Sequence, residues 1–123
     1  MNTAELTAYI DQLRADTKTG KLKWKKSNPT TFIFKSAGAQ LSIQKIQQTR
    51  HVAVVGGGIR RETVENYVFQ AFELPSGTLK LTINTTDKDA AAVTNPLKNL
   101  YEAITGTLDQ EGLDFLKHVI EGA

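Results

Sequence analysis

The chain of 123 residues contains no cysteine, which excludes a disulfide framework, a thiolate metal site and a cysteine nucleophile. Its only histidines are His51 and His118, too few for a metal site of three or four spaced ligands. None of its four serines lies in the Gly-x-Ser-x-Gly frame of a hydrolase nucleophile. We therefore expect a protein that is not an enzyme and that has no cofactor and no metal.

Long hydrophobic runs are also missing. No apolar stretch approaches the roughly 20 residues of a membrane helix. The N-terminal segment lacks the basic-then-apolar order of a signal peptide. We expect a cytoplasmic protein with no membrane partner, acting in the host cytoplasm if it is encoded by a phage. The hydrophobic content of 40% and the length predict a single globular domain over residues 1–123.

Charge is distributed unevenly along the chain. Residues 1–61 hold eleven Lys and Arg against three Asp and Glu, whereas residues 62–123 hold four against ten. Such an asymmetry favours self-association, because the basic surface of one copy attracts the acidic surface of another. It also favours attraction of an anionic ligand. A third explanation needs no function and is equally good: the helices carry Glu and the loops carry Lys.

The N-terminal segment predicts a helix over about residues 3–18. Asn2 is a favourable N-cap, and Glu5 stands where a capping-box partner would lie. Gly20 matches the glycine that commonly follows a helix. The apolar residues at helical spacing are Leu6, Tyr9, Ile10 and Leu13. They form one stripe, which predicts an amphipathic helix.

Five segments with alternating hydrophobicity follow and predict β-strands. They are KLKWKK (21–26), TFIFK (31–35), QLSIQKIQ (40–47), ENYVFQAFEL (65–74) and LKLTIN (79–84). Ile46 falls out of phase, which predicts a bulge or a bend nearby. The segment 65–74 is apolar on both faces, so we expect a central strand or one whose outer face meets a partner.

The C-terminal region predicts two helices. Asn95 and Pro96 form a favourable helix start, and Gly106 is expected to end the first helix. The second helix is expected over about residues 109–121. Its apolar residues are Leu113, Phe115, Leu116, Val119 and Ile120. This wide apolar face predicts contact with the sheet and with another chain.

The element order predicts an α+β fold with a curved antiparallel β-meander, flanked by an N-terminal helix and two C-terminal helices. The GKLKW segment, the aromatic meander and the PLKNLYEAI helix resemble small uncharacterised α+β proteins of bacteria and their phages. The residues that carry this resemblance are Leu22, Trp24, Tyr67, Phe69, Leu97, Leu100 and Tyr101. In size and style the chain also loosely resembles phage anti-defence sponges, which sequester nucleotide signals between protomers. Neither resemblance transfers a binding residue.

A basic, glycine-rich segment over residues 49–62 interrupts the meander and is the candidate binding site, although residues 51–55 could extend a strand. Glycine amides and arginine side chains are common phosphate ligands, although neither a P-loop nor a dinucleotide fingerprint is present. The candidate ligand-binding residues are Arg50, His51, Gly56, Gly57, Gly58, Arg60, Arg61 and Tyr67. Tyr67 or Tyr101 is expected to stack on a base. The alternative is a hairpin tip with solvated arginines.

Trp24 lies among lysines, where it could stack on single-stranded nucleic acid. The alternation favours instead an inward Trp24 on an edge strand whose lysines face solvent, and we expect no nucleic-acid partner. Two functions remain open. The first is capture of a small anionic, nucleotide-type ligand by a homo-oligomer, as a phage or bacterial sequestering protein. The second is a protein–protein interaction or inhibitor module without a small ligand.

Overall fold

In a computed structural model, which describes residues 2–122, five strands form one antiparallel sheet and two long helices pack on it. The elements are α1 (Thr3–Lys18), β1 (Lys25–Asn28), β2 (Thr31–Lys35), β3 (Ala39–Ala53), β4 (Ile59–Glu73), β5 (Thr78–Asn84), a 3₁₀ helix (Lys88–Val93) and α2 (Thr94–Gly122). The strands lie in chain order, β1-β2-β3-β4-β5. The predicted α+β class and antiparallel meander are confirmed.

Helix α1 has the ends that the sequence predicts. The Glu5 amide donates to the Asn2 side chain at 3.1 Å, so Asn2 is the N-cap. After Thr19, Gly20 adopts a positive φ of 84°. The amides of Gly20 and Lys21 donate to the carbonyls of Thr17 and Asp16, the bonding pattern of a Schellman motif.

This reversal delivers Trp24 to the core before the first strand begins. The predicted strand 21–26 is wrong in its bounds, because β1 starts at Lys25. Trp24 is nevertheless buried, and its Nε1 donates to Thr17 Oγ1 at 2.9 Å. The inward orientation of Trp24 is confirmed. This side-chain hydrogen bond to α1 satisfies the buried indole N–H.

Strands β3 and β4 form the longest ladder, with fifteen residues in each strand. Their register runs from Ala39 opposite Glu73 to Ala53 opposite Ile59 without a shift. The bulge predicted near Ile46 is therefore wrong. Irregularities occur instead in β1 and between Ala71 and Phe72 of β4.

One face of the sheet packs against the helices. The buried apolar residues are Ile10, Trp24, Phe32, Ile43, Tyr67, Phe69, Ile83, Val93, Leu97, Leu100, Tyr101 and Ile104. The ring of Tyr101 from α2 lies between Phe32 and Tyr67, with centroid distances of 5.2 and 5.6 Å. On β4, Val68 and Phe72 are half-buried on the opposite face. The central position predicted for this strand is confirmed.

The two predicted C-terminal helices are a single helix of 29 residues, and this expectation is corrected. Gly106 has no positive φ, so it continues the helix instead of ending it. The apolar stripe from Leu97 to Ile104 anchors the segment before Gly106 to the core. A lone glycine costs a helix only about 1 kcal/mol, which such packing outweighs. The 3₁₀ helix (Lys88–Val93) directly precedes α2.

We expect Gly106→Ala to stabilise the protein by about 0.5–1 kcal/mol, because alanine is the better residue in a helix interior. A Cβ at this position would meet no atom within 4 Å. Gly77→Ala is the control, since Gly77 has a φ of 74° and the same substitution there is strained. Urea unfolding of both variants measures the effect. Destabilisation by Gly106→Ala would contradict a continuous helix.

Candidate functional site

Two parts of the chain project beyond the core. The first is the outer part of the β3–β4 hairpin, residues 49–63, called here the ribbon. Strand β2 pairs with β3 only as far as Gln44, and β5 pairs with β4 only from Val68. Beyond those points the hairpin is two-stranded, and both of its edges lack a strand neighbour among residues 2–122. The segment predicted to interrupt the meander is thus a regular continuation of its central strands.

On one face of the ribbon, two arginines share one carboxylate. Arg50 lies opposite Glu62, and its Nη2 donates to Glu62 Oε2 at 3.1 Å. Arg60 Nη2 donates to the other oxygen, Oε1. An arginine already paired in this way must exchange its carboxylate before it can hold a phosphate. Glu62 is not among the binding residues predicted from the sequence, although the hairpin register places it directly across from Arg50.

The remaining two basic residues lie on the other face. His51 is opposite Arg61, and successive strand residues point to opposite faces. No ion pair of Arg61 is present within the described part of the chain. The four basic groups expected to converge are therefore divided into two pairs, one on each side of the ribbon.

The glycines form the tip. Gly56, Gly57 and Gly58 have φ values of 96°, 92° and 109°, a region that side chains disfavour. The Gly57 amide donates to the Val54 carbonyl at 3.2 Å, which closes the turn. The tip is also apolar. Val55 is fully exposed, and Val54 and Ile59 are exposed beside it.

Tyr67 lies away from the tip and inside the core, with only 1% of its surface exposed. Its hydroxyl lies 3.4 Å from Glu65 Oε2, and Lys45 Nζ lies 3.2 Å from Glu65 Oε1. Burial, followed by the nearby Glu65 charge, raises the pKa of Tyr67, whereas the hydrogen bond from Lys45 lowers the pKa of Glu65. The Tyr67 ring has no free face for a base. Tyr101 is buried as well, with Lys45 Nζ 5.6 Å from its ring centroid.

The second projection is the C-terminal part of α2, residues 109–122, called here the α2 extension. Every residue in it is exposed, whereas the earlier part of the same helix buries Leu97, Leu100, Tyr101 and Ile104. The large apolar side chains exposed on it are Leu113, Phe115, Leu116, Val119 and Ile120. At about 100° per residue they cover roughly 160° of the helix circumference. The sequence predicts that part of this face contacts the sheet, but in the structure the α2 extension lies beyond the sheet and remains exposed.

The charged residues of the α2 extension are mostly acidic. The segment holds four carboxylates, at Asp109, Glu111, Asp114 and Glu121, against one lysine, Lys117. Glu111 makes an exposed ion pair of 3.7 Å with Lys23. The extension therefore combines an uncovered apolar face with a net negative charge.

A groove of about 580 Å³ separates α1 from α2. Its charged lining is balanced, with Arg14, Lys18 and Lys23 on the first side and Glu102, Glu111 and Asp114 on the α2 side. Such a lining gives no preference for an anion or a cation.

Residues 2–122 contain no group of three or more side chains arranged to hold a metal ion. Across the same residues, no helix is long and apolar enough to cross a membrane.

Comparison of the chain with protein-family models, with curated proteins and with solved structures finds no match. The geometry of the ribbon and of the α2 extension is thus the basis for the function proposed below.

Proposed function

We propose that the chain is a protein-binding module, and that the apolar face of the α2 extension is its docking surface. The observation that carries this proposal is the exposure of five large apolar side chains on one short helical segment. Phe115 is 65% and Leu116 is 56% exposed. A contiguous apolar patch of this kind marks a binding surface more often than chance, whereas single exposed apolar residues do not.

Leaving this apolar face in water costs free energy. Burying a large apolar side chain completely contributes about 1.5–3 kcal/mol. Five side chains that are each roughly half exposed therefore offer several kcal/mol of association free energy, before the entropic cost of binding is subtracted. A helix laid into an apolar groove recovers this energy through residues spaced at i, i+3, i+4 and i+7. Leu113, Leu116 and Ile120 have that spacing.

The charge of the α2 extension favours a protein over a lipid surface. Helices that lie on anionic membranes carry Lys and Arg on their polar face. This segment carries four carboxylates and one lysine. Anionic lipid would repel it, and a basic protein surface would attract it.

Capture of a small anion is the second candidate function. Its support is the cross-strand pair His51 and Arg61, two basic groups side by side on an exposed strand face. The glycine amides at the tip lie three and more residues from Arg61. Arg61 and His51 would therefore bind a phosphate at the solvent-exposed face of the ribbon, without the glycine amides. The buried Tyr67 takes no part in this version of the site.

For the docking surface, a photo-crosslinking amino acid placed at Leu116 is expected to form protein adducts in cells that express the chain. The same amino acid at Asp114, on the polar side, is the matched control and is expected to form none. Adding Ile120→Asp should remove the Leu116 adduct, because a charge would then enter the apolar contact. Equal adducts at the two positions, or none at either, would contradict the proposed function.

For the second candidate, calorimetric titration with a panel of nucleotides and cyclic nucleotides measures anion binding directly. If the ribbon captures an anion, Arg61→Ala should weaken binding by about tenfold or more, the loss of a charge-assisted hydrogen bond. Lys80→Ala, which removes an exposed lysine on β5, is the control and should leave it unchanged. Absence of heat with every nucleotide would exclude these ligands.

A further inference from the structure

We infer that the partner of the α2 extension is the ribbon of a second copy of this chain, so that the protein assembles head to tail. This inference rests on the proposed function and names the partner of the same docking surface. Each copy then contributes two different surfaces to its neighbours. The α2 extension is helical, apolar and acidic. The ribbon is a two-stranded β-hairpin, apolar and basic.

The apolar parts of the two surfaces match. The ribbon exposes Val54, Val55 and Ile59 at and beside its tip. The α2 extension is about 21 Å long, at 1.5 Å per residue, and its five apolar side chains occupy about 12 Å of that length. The paired part of the ribbon, five residues per strand, spans about 17 Å. Two projections of similar length can therefore cover one another.

Opposite charge selects this pairing over its rivals. The ribbon carries Arg50, Arg60, Arg61 and His51 against the single acid Glu62, whereas the α2 extension has an excess of three negative charges. A symmetric pair of α2 extensions would bring eight carboxylates together, and like charges across an interface cost free energy. Two ribbons would repel each other in the same way. Only the mixed pair joins apolar contact with charge attraction.

Positions within each surface agree with such a contact. Ile59 and Arg61 are two residues apart on β4, so they share the ribbon face that also bears His51. On the helix, Asp109 falls within the angular range of the apolar face, one turn before Leu113. An apolar side chain with an adjacent arginine on the ribbon thus meets an apolar row with an adjacent carboxylate on the helix. Because the two surfaces differ, the assembly closes as a ring or grows as a chain.

The test mixes two variants of the full chain. The helix variant carries Leu116→Asp and Ile120→Asp, and the ribbon variant carries Val55→Asp and Arg61→Glu. All four positions are exposed, so the thermal unfolding midpoint should stay close to that of the wild type. Light scattering coupled to gel filtration is expected to show an oligomer for the wild type and a monomer for each variant alone. Tyr9→Asp, at an exposed position on α1, is the control and should keep the wild-type mass.

The 1:1 mixture gives the decisive result. The helix variant keeps an intact ribbon and the ribbon variant keeps an intact helix, so the mixture should form a dimer of one copy of each and nothing larger. A ribbon variant that remains oligomeric alone would overturn head-to-tail assembly in favour of helix–helix pairing. A monomeric wild type would also overturn it, yet the proposed function would survive if the Leu116 crosslink joins the chain to a different protein.

Discussion

The first half of α2 packs against one face of the sheet, and this packing sets the extent of the core. Leu97, Leu100 and Ile104 are fully buried there, and Tyr101 inserts its ring between Phe32 and Tyr67. These contacts fix where the helix begins and the direction in which it runs. Because the helix has 29 residues, about 43 Å, and the core holds only its first part, residues 109–122 extend past the core into solvent.

A second consequence concerns the length of the central strands. β3 and β4 have fifteen residues each, but β2 and β5 have five and seven. The excess length of the central pair becomes the ribbon. Both projections therefore have the same origin. The two central strands and α2 are longer than the core against which they pack, so their ends extend beyond it. A fold of this kind covers its core without using either projection, which leaves their side chains available for contacts with other molecules.

Local signals in the sequence predicted much of the fold. The capping of α1 by Asn2 and its ending at Gly20 follow from side-chain and backbone chemistry within a few residues, and the strand alternation reports one buried face. Gly106 was misread because a glycine ends a helix only where the chain turns, and whether it turns depends on contacts made elsewhere. Whether Tyr67 faces the core or a ligand also depends on distant contacts. The alternation places Tyr67 on one face of β4, and the packing of Tyr101 from α2 closes that face.

In a head-to-tail assembly, a second copy of the chain covers the apolar face of residues 109–122. Hydrogen exchange at several protein concentrations measures this coverage. We expect amide protection in residues 109–122 and in residues 49–63 to rise together with concentration, while protection in residues 97–104 stays constant. Protection in residues 109–122 that is the same at every concentration, with no change in the ribbon, would contradict it.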